Sequence, residues 1–265
     1  MRVVFPNFGG YYLAMDFNAL FSKKNTVANL SEKDLMQVQD YMEMLKAFSR
    51  ITYQSVYLID YQQKTFEFVS DNPLFLAGLT PQQVLEMGYR FYEKYVPAED
   101  FQMLIRINEA GFSFYEKIPV DERKLYVISY DFQLRDLQNK TILINHKLTP
   151  VFLTEEGKMW KAMCIVSLSS NLSSGNVTVE KLHSNLLWKL DLATGSWEKQ
   201  NKINLTQREI EILRYYHRGL TIHETSEKIF VSMDTVKFHR RKLFEKLGVN
   251  HMNEALVYAI SNRLL

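Results

Sequence analysis

The sequence predicts an α+β domain built on an antiparallel sheet, followed by a small all-α domain of four helices. Three observations carry this prediction. Between Gln54 and Leu168, five runs of residues follow strand-like apolar patterns. After Leu205, helix-start signatures follow one another at short intervals. The charge is also divided: residues 200–265 hold eleven Lys/Arg against seven Asp/Glu, or +4, and the rest holds 21 against 23, or −2. The overall +2 hides a basic C-terminal tail, where a polyanion would bind.

A chain of 265 residues has room for two ordinary domains. Its 46% apolar and 13% aromatic content suits a packed globular protein. No apolar run approaches the roughly 18 residues of a membrane span. The first thirty residues lack a continuous apolar stretch, so no signal peptide is expected. The single cysteine, Cys164, excludes an internal disulfide framework and a cysteine-rich zinc site. A cytoplasmic protein with no membrane partner is expected.

Residues 1–50 read as an N-terminal extension ending in an amphipathic helix. Ser31 to Asp34 offer caps, and Leu35, Val38, Met42 and Leu45 recur three and four residues apart. Residues 51–170 read as the sheet domain. Gln54–Tyr61 and Thr65–Ser70 form a first hairpin, and Pro73 opens a mostly helical stretch. Leu79-Thr80-Pro81-Gln82-Gln83-Val84 combines a capping box, proline at the first helical position and a hydrophobic staple. A further helix begins at Pro97. Leu125–Arg135, Thr141–Leu153 and Met159–Leu168 are the remaining strands, with a turn at Glu155-Glu156-Gly157-Lys158. Pro150 calls for an edge or a bulge. Residues 171–202 read as a polar linker carrying a candidate hairpin, Leu186–Leu192 with Ser196–Gln200.

Residues 203–265 carry the strongest local signals. Thr206 and Glu209 form a capping box, with Leu205 and Ile210 at the staple positions. Ile210, Leu213 and Tyr216 are expected to face a core, and Gly219 ends the helix. Thr221 and Glu224 open a second helix carrying Ile222, Ser226 and Ile229. Phe230-Val231-Ser232 turns the chain, and Ser232 caps a third helix that runs to Leu247 and stops at Gly248. Asn253 is the expected cap of a fourth. Four short helices with brief joints meet the requirements of a helix-turn-helix domain.

The third helix decides the expected function. At about 100° per residue, Val236, Leu243 and Leu247 share one side, whereas Lys237, Phe238 and Arg241 share the other. Such a helix buries one stripe and offers two cations and an aromatic ring to a major groove. Asp234 and Glu245 lie on the same outer face. A solvated basic face is the plain reading of an isolated helix of this kind; the caps, the turn and the two preceding helices favour DNA.

Leu205-Thr206-Gln207-Arg208-Glu209, Leu213, Gly219-Leu220, Glu224, Ser226, Val231-Ser232, Thr235-Val236-Lys237-Phe238-His239 and Lys246-Leu247-Gly248-Val249 resemble the LuxR/GerE family of DNA-binding domains over residues 203 to 264. Gln207 and Ser226 stand where proline and alanine are usual. The resemblance implies that the second helix supports, the third reads DNA and the fourth pairs two protomers. It places Lys237, Phe238 and Arg241 against bases, and Thr235, His239, Arg240 and Lys242 against the backbone. From Gln54 to Ser170, two strands, several helices and three strands follow the order of a PAS sensor domain, which the chain resembles there.

The resulting expectation is a sequence-specific transcriptional regulator, homodimeric on double-stranded DNA and able to recruit or block RNA polymerase. Its PAS-like domain would either sense an unidentified small molecule or only dimerise the chain. No cofactor or metal is expected: Cys164 reads as a buried structural thiol, and only one of Asn145 and His146 can face the interior. An enzyme is disfavoured, because there is no phosphate-binding glycine loop and no Gly-x-Ser-x-Gly elbow, and Glu227 replaces the second histidine after His223-Glu224. The initial strand and acidic pair of a response-regulator receiver are also lacking.

Overall fold

The computed structural model describes residues 16–21, 23–27, 30 and 41–265. Leu35 and Val38 of the expected N-terminal helix lie outside the described residues. Its continuation is α1 (Tyr41–Ile51), in which Met42 and Leu45 are half-buried. The sheet domain then runs through β1 (Ser55–Asp60), β2 (Thr65–Val69), α2 (Pro81–Met87), α3 (Arg90–Tyr95), α4 (Ala98–Tyr115), β3 (Tyr126–Arg135), β4 (Thr141–Leu153) and β5 (Met159–Leu168). Each expected strand is present. Thr80 and Gln83 form the expected capping box in front of Pro81.

The neighbouring strands are antiparallel, in the order β2-β1-β5-β4-β3. Chain-adjacent hairpins form the two ends of this series, and the long return from β2 to β3 carries α2, α3 and α4. These helices cover one sheet face, and Phe75, Phe91, Phe101, Leu104 and Ile107 pack there against Tyr57, Phe132 and Ile144. Pro150 sits where the β4–β5 register shifts, beyond the last β3 partner of β4, so its missing N–H breaks no continuous ladder. Gly157 holds φ +78° in the β4–β5 turn, and a Cβ there would lie 2.8 Å from Val120.

Residues 171–202 are not a free linker. They form β6 (Gly175–Lys181), β7 (Leu186–Leu190) and β8 (Trp197–Asn201), extending the series through β3-β6-β7-β8 to eight strands. The expected hairpin is the β7–β8 pair, with Leu187 opposite Gln200. The polar stretch before it is fastened by two carboxylates: fully buried Asp131 accepts from Asn145, Asn171 and Asn176 at 2.7–2.9 Å, and Asp100 accepts the Ser174 hydroxyl at 2.6 Å.

The second domain comprises α5 (Gln207–His217), α6 (Ile222–Lys228), α7 (Met233–Leu247) and α8 (Met252–Ser261). Its separate core joins Ile212, Leu213, Ile229, Val236, Leu243, Leu247, Met252, Ala255 and Ala259. Ile212, rather than Ile210, accompanies Leu213 in that core; Ile210 is only half-buried. His251, not Asn253, caps α8, accepting from the Glu254 amide, and Asn253 accepts the Tyr216 hydroxyl at 2.5 Å.

Candidate nucleic-acid interface

Helix α7 is fixed at both ends. Ser232 accepts from the Thr235 amide at 3.1 Å, and Gly248 adopts φ +67° to stop the helix. Val236, Leu243 and Leu247 are buried, as their spacing requires. Lys246 ties the far end of α7 to the start of α5, with Nζ 2.6 Å from Glu209 and 3.3 Å from the Asn204 carbonyl. Burial alone would raise the Glu209 carboxyl; bonds from Lys246 and Thr206 outweigh it and hold the group below its ordinary value.

On the opposite side Lys237 and Arg241 leave 59% and 69% of their side chains exposed, with Phe238 between them at 48%. The Arg241 guanidinium lies 5.8 Å from the Phe238 ring centroid, so an aromatic surface and a bidentate donor form one patch. Thr235, His239 and Arg240 are half-buried along its margins, and Lys242 is exposed. Arg240 is placed by the Tyr216 ring, 6.0 Å away. Lys237, Phe238 and Arg241 thus share the outer face of α7, with Thr235 and Lys242 beside it, whereas His239 and Arg240 flank the buried stripe.

The two acids on this face are engaged. Asp234 lies 3.0 Å from Lys237, and Glu245 lies 3.0 Å from Lys242 and 3.9 Å from Arg241. Such exposed pairs contribute only about 0–1 kcal/mol each. A phosphate or base edge can therefore replace the carboxylate at small cost.

The structure adds residues beyond the sequence reading. Phe230, in the turn before α7, is 92% exposed at φ +54°, and Met233 at the start of α7 is 46% exposed. A left-handed, solvent-facing phenylalanine is uncommon, but no local pattern distinguishes it from a core residue in the sequence.

The sheet domain holds a different set of polar groups. His146 is the member of the Asn145–His146 pair that faces inward. Its Nε2 and the Tyr92 hydroxyl each lie 2.6 Å from the Tyr57 hydroxyl. Burial pulls His146 down to about 3, so its ring is neutral at pH 7. Its Nδ1 and the Tyr95 hydroxyl are buried without a hydrogen-bond partner among the described residues. A cavity of about 20 Å³ touches Tyr61, Tyr89, Tyr92, Asn108, Tyr130 and His146, and an apolar one of about 60 Å³ lies under α4. Cys164 is fully buried and its thiol is pushed up by burial.

Residues 203–259 match the family model of bacterial regulatory proteins, luxR family. Over 62 residues the chain is 40% identical to the transcriptional regulatory protein LiaR of Bacillus subtilis, covering 23% of this chain and 29% of LiaR. Over 61 residues it is 39% identical to the oxygen regulatory protein NreC of Staphylococcus aureus, covering 23% and 28%. The chain thus spans less than a third of the length of these relatives. Among solved structures, a Vibrio cholerae VqmA–ligand–DNA complex is 16% identical, covering 84% of this chain and 88% of that one, at a TM-score of 0.33. A PAS domain from a two-component sensor histidine kinase is 12% identical, covering 49% and 96%, at 0.34. Behind a sheet domain of PAS-like element order, residues 203–259 form a four-helix domain that matches the luxR family of bacterial regulatory proteins.

Proposed function

We propose that the chain is a sequence-specific transcriptional regulator that binds double-stranded DNA as a homodimer and carries no catalytic activity. The carrying observation is α7, with a buried Val236–Leu243–Leu247 stripe opposite exposed Lys237, Phe238 and Arg241. In this reading α7 lies in the major groove. Lys237 and Arg241 donate to guanine edges, Phe238 meets a thymine methyl, and Thr235, His239, Arg240 and Lys242 contact the backbone. Bound there, the protein recruits or blocks RNA polymerase in the cytoplasm. Selection from a random duplex pool tests this reading. It should return an inverted repeat with half-site centres about one helical turn apart; retention of every sequence alike would refute it.

The sheet domain acts as the sensor. His146, which borders the 20 Å³ cavity and whose Nδ1 is buried without a hydrogen-bond partner among the described residues, supports a small polar ligand or a rearrangement that satisfies it. The dimerisation-only reading has its own support. The interior is filled by Tyr57, Phe66, Phe75 and Phe132, and a 20 Å³ cavity holds about one water-sized group. Purification followed by mass spectrometry of the denatured supernatant separates the two: a stoichiometric small molecule favours sensing, and none favours dimerisation alone.

A further inference from the structure

The sheet face turned away from α2, α3 and α4 borders a cleft of about 530 Å³, which the end of α8 closes on its far side. Strand register builds one row across that face. Lys147 on β4 stands opposite Ser129 on β3, Ser129 opposite Thr178 on β6, and Thr178 opposite Lys189 on β7. Residues directly opposite share a face, and all four line the cleft. At about 4.8 Å per strand the row spans roughly 14 Å, with an ammonium at each end and two hydroxyls between. Ser261 and Arg263 of the helical domain meet it at the Lys147 end.

The charge in this cleft is unbalanced. Among the described residues, Lys147, Lys181, Lys189, Lys202 and Arg263 line it against one acid, Glu180. Lys202 engages Glu180 at 2.8 Å, and Lys181 engages Glu122 outside the cleft at 2.8 Å. Lys147, Lys189 and Arg263 form no ion pair among the described residues, although Glu198 stands opposite Lys189 on β8. Lys147 is the costly one: it is half-buried, and its ammonium donates to a neutral acceptor, the Ser261 carbonyl, at 2.6 Å. Burial and the neighbouring Arg263 guanidinium hold that ammonium below its ordinary value. A cation drawn out of water without a counter-charge is destabilising, and a second cation beside it adds repulsion. An anion between Lys147 and Arg263 relieves both. A guanidinium fork matches two phosphate oxygens, and an ammonium and a hydroxyl can donate to the rest. One phosphate group fills only part of the cleft, whose size is that of a site for a small organic molecule.

We propose that the cleft between the sheet and α8 is a binding site for a phosphorylated small molecule, its phosphate held by Lys147 and Arg263 and reached by Thr178 and Lys189. The site lies on the opposite side of the sheet from the cavity beside His146 and stands independently of the proposed function. The sheet and the helical domain each supply a cation, so an occupant fastens one to the other.

Calorimetric titration of the full chain with sodium pyrophosphate, at about 150 mM salt to screen loose surface binding, tests the proposal. The parent should saturate one site with a Kd below about 1 mM. Lys147→Gln and Arg263→Gln should each weaken binding at least tenfold, and Lys189→Gln several-fold. Arg263 and Lys189 are exposed, so their variants should keep the thermal unfolding of the parent, which separates a lost site from a lost fold. Lys237→Ala combined with Arg241→Ala, on α7, should bind pyrophosphate as the parent does. Absence of saturable binding overturns the proposal, and so does binding that withstands both Lys147→Gln and Arg263→Gln. Loss of binding in the α7 variant also overturns it, because the anion would then sit on α7. The DNA backbone carries the same phosphate chemistry, and a selected duplex distinguishes the two sources. Arg263→Gln and Lys189→Gln should bind that duplex as the parent does; weaker binding would make the cleft a backbone contact and overturn the small-molecule assignment.

Discussion

At the scale of single residues, the base-reading hypothesis reduces to Lys237 and Arg241. Both are over half exposed and held by surface ion pairs, with Arg241 also lying 5.8 Å from the Phe238 ring centroid. Replacing either by alanine should cost roughly 1–3 kcal/mol on the selected operator and relax preference at one base pair, as measured by titration against a panel of point-substituted sites. Uniform weakening on all sequences would instead mark a phosphate contact. His146 makes a second residue-scale prediction. Its folded-state value is about 3 against an ordinary 6.5, so the unfolded chain takes up a proton that the folded chain resists. Its contribution to stability is full above about 6.5 and is lost as the pH falls toward 3. Urea unfolding across that window should show the loss, and His146→Leu should flatten that portion of the curve. The face of α7 was legible because buried and exposed residues alternate over four turns. The face of α5 was less so: Ile210 and Ile212 both satisfy helical spacing with neighbours, and packing against α7 and α8 decides for Ile212.

At the scale of elements, helix starts were the most legible feature, because a capping box is a local hydrogen-bonding requirement. Thr206 with Glu209 and Thr221 with Glu224 close as their sequences require. Thr206→Ala should therefore cost about 1 kcal/mol, measured as a lower urea midpoint for the C-terminal domain. Strand β6 was harder to place, whereas β7 and β8 were legible as a hairpin. The Ser/Asn/Gly-rich approach to β6 has the composition of a linker, and only Asp131, on a strand distant in sequence, gathers its asparagines. The cap of α8 was missed because His251 and Asn253 are both competent and two residues apart. On α8 itself Ala259 belongs to the core, which leaves Val257 and Ile260 as the exposed apolar side chains. Ile260→Glu should weaken binding to a two-half-site operator at least tenfold and leave single-half-site binding unchanged, as gel-shift titration would show.

At the scale of the whole molecule, the two cores are separate, and Lys147 on β4 donates to the Ser261 carbonyl at the end of α8 at 2.6 Å. Burial and Arg263 hold the Lys147 ammonium below its ordinary value, and Glu180 and Asp131 partly offset them. This contact gives the sheet domain a physical hold on the placement of the reader. A signal acting through it can change DNA affinity only by its differential affinity for two placements, and 1–3 kcal/mol of coupling corresponds to roughly 5- to 150-fold. Replacing residues 1–202 by an unrelated dimerising module should preserve the operator and abolish the response to cellular conditions. A fusion that still follows those conditions would end the sensing account. Two domains and their element types were legible from period and capping; their mutual contact was not, because Lys147 and Ser261 are brought together only by tertiary structure. The claim beneath all of this is that α7 reads sequence, and its most direct test is the affinity of the full chain for its selected operator against a scrambled duplex at about 150 mM salt. The account predicts a preference of at least about a thousandfold, whereas equal affinity for the two duplexes would contradict it.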